Sequence, residues 1–188
     1  MVMRWIRERL QGRFLRNIVV MMSGTLLGQV VMVLILPLLT RLYSPALFGL
    51  LGVYMSLIMV LSVAACMRLD LATPLPDTDV EAAQLVILSI LSASIFSLAL
   101  WFVSVAWPNK ISSLLRQPTI EAYLWMVPLG VWMASLYSAL QFWAIRKKRF
   151  TAVARTQLVR AVGSSGVQAS WGLLQPSGLG LLIGYMLY

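Results

Sequence analysis

Gln157, Arg160, Ser164, Gln168 and Trp171 follow one another at three- or four-residue spacing, which places all five on one face of a helix. A guanidinium in a row of amides and a hydroxyl offers hydrogen bonds and charge to an anionic or hydrated solute. It does not offer covalent chemistry. Two more polar pairs stand at i, i+4 spacing, Thr25 with Gln29 and Tyr137 with Gln141, and either pair could equally bond a neighbouring helix. The chain has no His and a single cysteine, Cys66, so histidine metal clusters, Cys-His nucleophile pairs and internal disulfides are excluded by inventory. No paired carboxylate stands out either, so neither an enzyme nor a metal or cofactor site is expected.

The elements that must position these side chains are membrane helices. Hydrophobic residues make up 60% of the chain, charged residues 11%, and the mean hydropathy is +0.86, whereas soluble domains are roughly a quarter charged. Five windows contain no Asp, Glu, Lys or Arg: residues 17–40, 42–67, 82–109, 122–145 and 161–188. Each exceeds the ~20 residues needed to cross a bilayer. Gln175-Pro176-Ser177-Gly178 is a turn-type cluster that divides the last window. The expected fold is therefore an all-α integral membrane bundle. It has about five complete spans (18–39, 46–67, 83–107, 122–144 and 156–174) and a sixth, starting at Leu179, that the chain leaves incomplete. Residues 1–16 form a basic arm ahead of it.

The net charge of +9 would suit a nucleic-acid partner only if it formed a face, and it does not. With the N-terminus in the cytoplasm, twelve of the 15 basic residues fall on inside segments and three (Arg41, Lys110, Arg116) outside. That asymmetry orients the chain. In the arm, Ile6, Leu10 and Phe14 interleave with arginines, the pattern of a topology anchor or of an interfacial helix on anionic headgroups. An arginine held toward lipid at mid-membrane costs at least ~3 kcal/mol. Arg160 must therefore either snorkel from about 6 Å inside the cytoplasmic end of its span or face a hydrated cavity. Gly24-x-x-x-Gly28 suggests close helix packing within the bundle, and Pro128 with Gly130 suggests a kink in the fourth span.

Three segments carry a resemblance. Leu39-Thr-Arg-Leu-Tyr-Ser-Pro-Ala-Leu-Phe-Gly49, Met67-Arg-Leu-Asp-Leu-Ala-Thr-Pro-Leu-Pro76 and Ala139-Leu-Gln-Phe-Trp-Ala-Ile-Arg-Lys-Lys-Arg-Phe150 follow spans one, two and four. In that order they resemble the polysaccharide biosynthesis proteins, the Wzx-type oligosaccharide flippases of the MATE-like superfamily. Two positions depart from the family pattern: Ala46 replaces an acidic residue, and Asp70 stands where Glu is commoner. The resemblance implies a carrier in the bacterial inner membrane that makes no covalent bond. Its cargo would be a lipid-linked oligosaccharide on undecaprenyl pyrophosphate, and the polysaccharide polymerase machinery is a candidate partner besides membrane lipids. It implies two bundles of about six helices around a central cavity, of which this chain would supply the first, so a truncated and singly inactive product is expected. Gln29, Gln141, Gln157, Arg160 and Gln168 are the candidate substrate path. Arg41, Arg68 and Asp70 are candidate gate or loop-fixing residues, Arg68 and Asp70 through a mutual contact. A multidrug or ion-coupled exporter of related architecture and a structural membrane subunit are the competing readings.

Overall fold

A computed structural model describes the backbone of residues 2–175 and 177–188, with side chains at Val19 and from Met21 onward. The interfacial reading of Ile6, Leu10 and Phe14 rests on side chains outside the described residues. The elements are α1 (Val2–Leu42), α2 (Pro45–Ala65), the single turn α3 (Leu69–Ala72), α4 (Asp79–Ala106), α5 (Pro108–Leu114), a 3-10 segment (Pro118–Tyr123), α6 (Met126–Arg146), α7 (Phe150–Leu174) and α8 (Gly178–Met186). Among the described residues there is no strand.

Local chemistry explains most boundaries. Pro45, Pro108 and Pro118 open their helices, where a missing backbone N–H costs nothing. The Thr78 side chain accepts from the Glu81 N–H at 3.3 Å, a Thr-x-x-Glu start with acidic Asp79 and Glu81 in the first turn of α4. Met67 and Arg68 adopt left-handed backbone, φ 49° and 58°, and swing the chain out of α2 into α3. α7 ends at Leu174 and α8 begins at Gly178, and α8 folds back along α7.

Side-chain contacts fix the helix directions. Gly24 faces Ala154 and Tyr43 faces Gln168, so α1 and α7 run parallel. Tyr54 bonds Met126 and Cys66 meets Ser135, which sets α2 parallel to α6. Ser97 with Pro128, and Asp79 with Arg146, set α4 antiparallel to α6. The directions alternate along the chain as the span order requires. They collect Arg41, Lys110 and Arg116 at one end of the bundle, with Arg68 and residues 146–149 at the other.

The core lies where α2, α6 and α8 meet: Leu50, Tyr54 and Ile58 pack with Ile120, Met126, Val131, Leu181 and Leu182. The outer faces of α1 and α4 expose Val33, Leu34, Leu91 and Ile95 by more than half, a surface suited to lipid and not to water. Met21–Leu42, Pro45–Ala65 and Asp79–Ala106 are long and apolar enough to cross a membrane. The expectation of five complete spans is met only to that extent. α6 and α7 have 21 and 25 residues, but their serines, glutamines and arginines lower their hydropathy below that of a lipid-facing span. α8 has nine residues and spans no bilayer.

Pro128 corrects a second expectation. It occupies the first turn of α6, because 118–123 is a 3-10 segment and the helix starts at Met126. The residue four before it, Leu124, lies ahead of the helix and its carbonyl accepts from the Val127 N–H at 3.1 Å, so Pro128 takes no hydrogen bond from the helix interior. Its own carbonyl accepts from the Ser97 hydroxyl instead. The proline inside a helix is Pro37 of α1.

Candidate functional site

A cavity of about 630 Å³ opens between α1, α6, α7 and the C-terminal turn of α8. Small residues make the room. A Cβ added at Gly24 would stand 2.6 Å from Ala154 Cα and Cβ, and one at Gly28 would stand 3.4 Å from Ala161 Cβ, so the Gly24-x-x-x-Gly28 face brings α1 onto α7 as expected. Thr25 and Gln157 line the wall at this seam, and the Thr25 hydroxyl donates to Gln157 Oε1 at 2.7 Å.

Arg160 projects from the third turn of α7, ten residues or about 15 Å past Phe150. Its guanidinium stacks on the Tyr137 ring at 3.6 Å from the centroid, with the Tyr188 ring at 5.5 Å. Among the described residues no carboxylate pairs with it. Arg160 lines the cavity. Gln141 lies one turn beyond Tyr137 on α6 and completes the polar wall, while Trp132, Tyr185 and Tyr188 supply aromatic surface. The Tyr137 hydroxyl is buried without a hydrogen-bond partner.

Three of the five path candidates, Gln141, Gln157 and Arg160, thus share one cavity. Gln29 and Gln168 do not line it. Gln29 is exposed on α1. Gln168 is buried beneath α8, where its Nε2 donates to the Leu181 carbonyl at 3.3 Å, and its own carbonyl accepts from the Tyr43 hydroxyl at 2.7 Å. Burial holds the Tyr43 phenol above its ordinary pKa, so at the α1–α2 connection it remains a donor. The stretch of the α7 polar face at Gln168 and Trp171 does not stand open. It is covered, because Gly180 and Gly184 lie so close to Trp171 and Gln168 that no side chain fits between them.

At the bundle end that holds residues 146–149, the loop-fixing group is one that the sequence reading missed. Arg146, with its side chain 12% exposed, closes the α2–α4 connection. Its Nη1 donates to the Pro76 carbonyl at 2.6 Å and the Pro74 carbonyl at 3.3 Å, and its Nη2 to the Thr78 carbonyl at 3.0 Å. Its Nε reaches Asp79 Oδ1 at 3.2 Å, and Lys147 takes Oδ2 at 2.6 Å. The planar fork of arginine suits several carbonyls at once. The only signal in the sequence was a Pro-x-Pro loop and an arginine at a helix end, seventy residues apart.

The expected contact between Arg68 and Asp70 does not form. Arg68 is exposed in its left-handed turn, and Asp70 turns inward, 7% exposed, to accept from the Ser138 hydroxyl at 2.6 Å. Opposite backbone regions at positions 68 and 70 send the two side chains apart. Arg41 is exposed in the last turn of α1.

No curated protein matches the chain, and no solved structure does. Residues 38–188 match the family described as polysaccharide biosynthesis protein, a stretch that contains the cavity walls of α6, α7 and α8, the Arg146 clamp and all three resembling segments. With more than half its length matched, this membrane protein belongs to the polysaccharide biosynthesis protein family.

Proposed function

We propose that the chain forms part of a flippase that carries a lipid-linked oligosaccharide, on undecaprenyl pyrophosphate, from the cytoplasmic to the periplasmic leaflet of the bacterial inner membrane. The observation that carries this reading is Arg160, a cation stacked on Tyr137 at 3.6 Å in a cavity with Gln141, Gln157 and Thr25. A pyrophosphate needs a positive, hydrogen-bonding stop on its way through hydrocarbon. The tyrosine and tryptophan rings beside Arg160 suit the apolar faces of sugar rings. Membership of a polysaccharide biosynthesis family supports the same cargo.

In this reading α6 and α7 also cross the membrane, their polar faces turned to the cavity instead of lipid. The chain forms the first bundle of a two-bundle carrier, and the N-terminus lies in the cytoplasm with the basic ends of α6 and α7. Translocation breaks and makes no covalent bond. An exporter of cationic drugs fits less well, since Arg160 would repel its cargo.

The test is complementation of a flippase-deficient bacterium by the chain, alone and joined to a second bundle from the family, with surface polymer as the readout. Arg160→Ala in the active form is expected to cut export at least about tenfold, with Arg160→Lys in between. Full export by Arg160→Ala, with membrane levels unchanged, overturns the proposal.

A further inference from the structure

A second polar group lies outside the cavity, at the junction of α3, α4 and α6. Asp70 is 7% exposed, and only one of its oxygens is used: Oδ2 accepts from Ser138, whereas Oδ1 is buried with no partner. Two hydroxyls nearby are in the same condition. Ser135, 1% exposed, stands one turn before Ser138 on α6, and its Oγ has no partner. Ser89 is fully buried on α4, and its Oγ also has none. The antiparallel register of α4 and α6, fixed by Ser97 with Pro128, Trp132 with Ser94 and Asp79 with Arg146, sets Ser89 opposite residue 136, beside Ser135.

A buried carboxylate with one hydroxyl donor is costly as a bare anion. The cations nearby do not neutralise it: Arg146 is spent on the 74–79 loop, and Arg68 is exposed and forms no ion pair with it. Neither hydroxyl forms a hydrogen bond with Oδ1. A hard cation with oxygens at about 2.4 Å holds them roughly 3.4–4.8 Å from one another, so it can join groups that form no hydrogen bond to each other. Among the described residues no three His, Cys, Asp or Glu come together, so one carboxylate with neutral oxygens suits a monovalent ion better than a divalent one.

We infer that Asp70 Oδ1 and the Ser89 and Ser135 hydroxyls seat a sodium ion that ties α3 to α4 and α6. The inference does not depend on the cargo proposed above. Cys66 is a built-in reporter, since its buried thiol lies 3.8 Å from the Ser135 carbonyl and no other cysteine competes.

The full chain in detergent micelles would be melted in sodium, potassium or N-methylglucamine chloride at equal ionic strength. A saturable, sodium-specific rise in Tm is expected, lost in Asp70→Asn and kept in Ser113→Ala, whose hydroxyl lies in α5 at the opposite end. Alkylation of Cys66 in the unmutated chain gives a second readout that needs no variant to fold. It should slow about tenfold at sodium ten times its dissociation constant. Absence of both sodium effects in the unmutated chain overturns the inference, as does a sodium effect that survives in Asp70→Asn. Stabilisation by acid without any sodium dependence would give the seat to a proton and overturn it equally.

Discussion

Arg146 should hold the α2–α4 connection through backbone carbonyls far more than through its ion pair. Its two shortest carbonyl bonds, to Pro76 at 2.6 Å and Thr78 at 3.0 Å, are each worth about 1.5 kcal/mol or more for a charged donor. Arg146→Ala should therefore cost about 3 kcal/mol, which at this chain length is a fall of roughly 6–12 °C in Tm. The Asp79 carboxylate is 63% exposed, and exposed pairs contribute little. Asp79→Asn should move Tm by less than about a third of the arginine's effect. Arg146→Lys should fall between them, since an ammonium keeps the charge but cannot span several carbonyls. The assay is a melt of purified protein in micelles, followed by tryptophan fluorescence. If Asp79→Asn cost as much as Arg146→Ala, the ion pair would be the anchor and the reasoning from carbonyl geometry would fail.

The helix seam gives a paired prediction: Gly24→Ala meets Ala154 at 2.6 Å and should destabilise by ~1–3 kcal/mol, whereas Gly28→Ala meets Ala161 only at 3.4 Å and should be nearly silent in the same melt. Tyr43→Phe removes the donor to the Gln168 carbonyl and should cost about 1 kcal/mol, read as faster proteolysis at the α7–α8 turn.

The broad architecture was legible because charge-free windows, a Pro-Gly turn and basic loops are each imposed by the solvent locally. α2 at 45–65 and α4 at 79–106 differ from the expected 46–67 and 83–107 by a few residues at each end. The polar face of α7 was legible for the same reason, as helical spacing alone puts Gln157 and Arg160 together. What fills the space in front of that face was not, because it depends on long-range packing. α8 read as a fragment of a span, yet Gly180 and Gly184 let it lie on Trp171 and Gln168 and close the lower half of the face. Gln29 shows the limit of the i, i+4 rule. A four-residue step turns about 40° around the axis, enough that Thr25 reaches Gln157 and Gln29 does not.

The manner in which Arg160 is held bears on what the cavity can do. A carboxylate partner would hold the guanidinium more tightly but would cancel its charge, leaving nothing to attract an anion. Stacking on Tyr137 and Tyr188 instead supports the flat face of the group and leaves its N–H edge uncommitted. Gln157 is steadied separately by the Thr25 hydroxyl, which occupies its amide oxygen and leaves the amide nitrogen as a donor beside Arg160. The wall therefore presents donors with a net positive charge and no fixed anion, an arrangement that favours a phosphate group and disfavours a cation. The Asp70 group has the opposite composition, acceptor oxygens around one negative charge, and lies on the other side of α6 from the cavity. The two sites share that helix, so a shift of α6 along its axis would reach both at once.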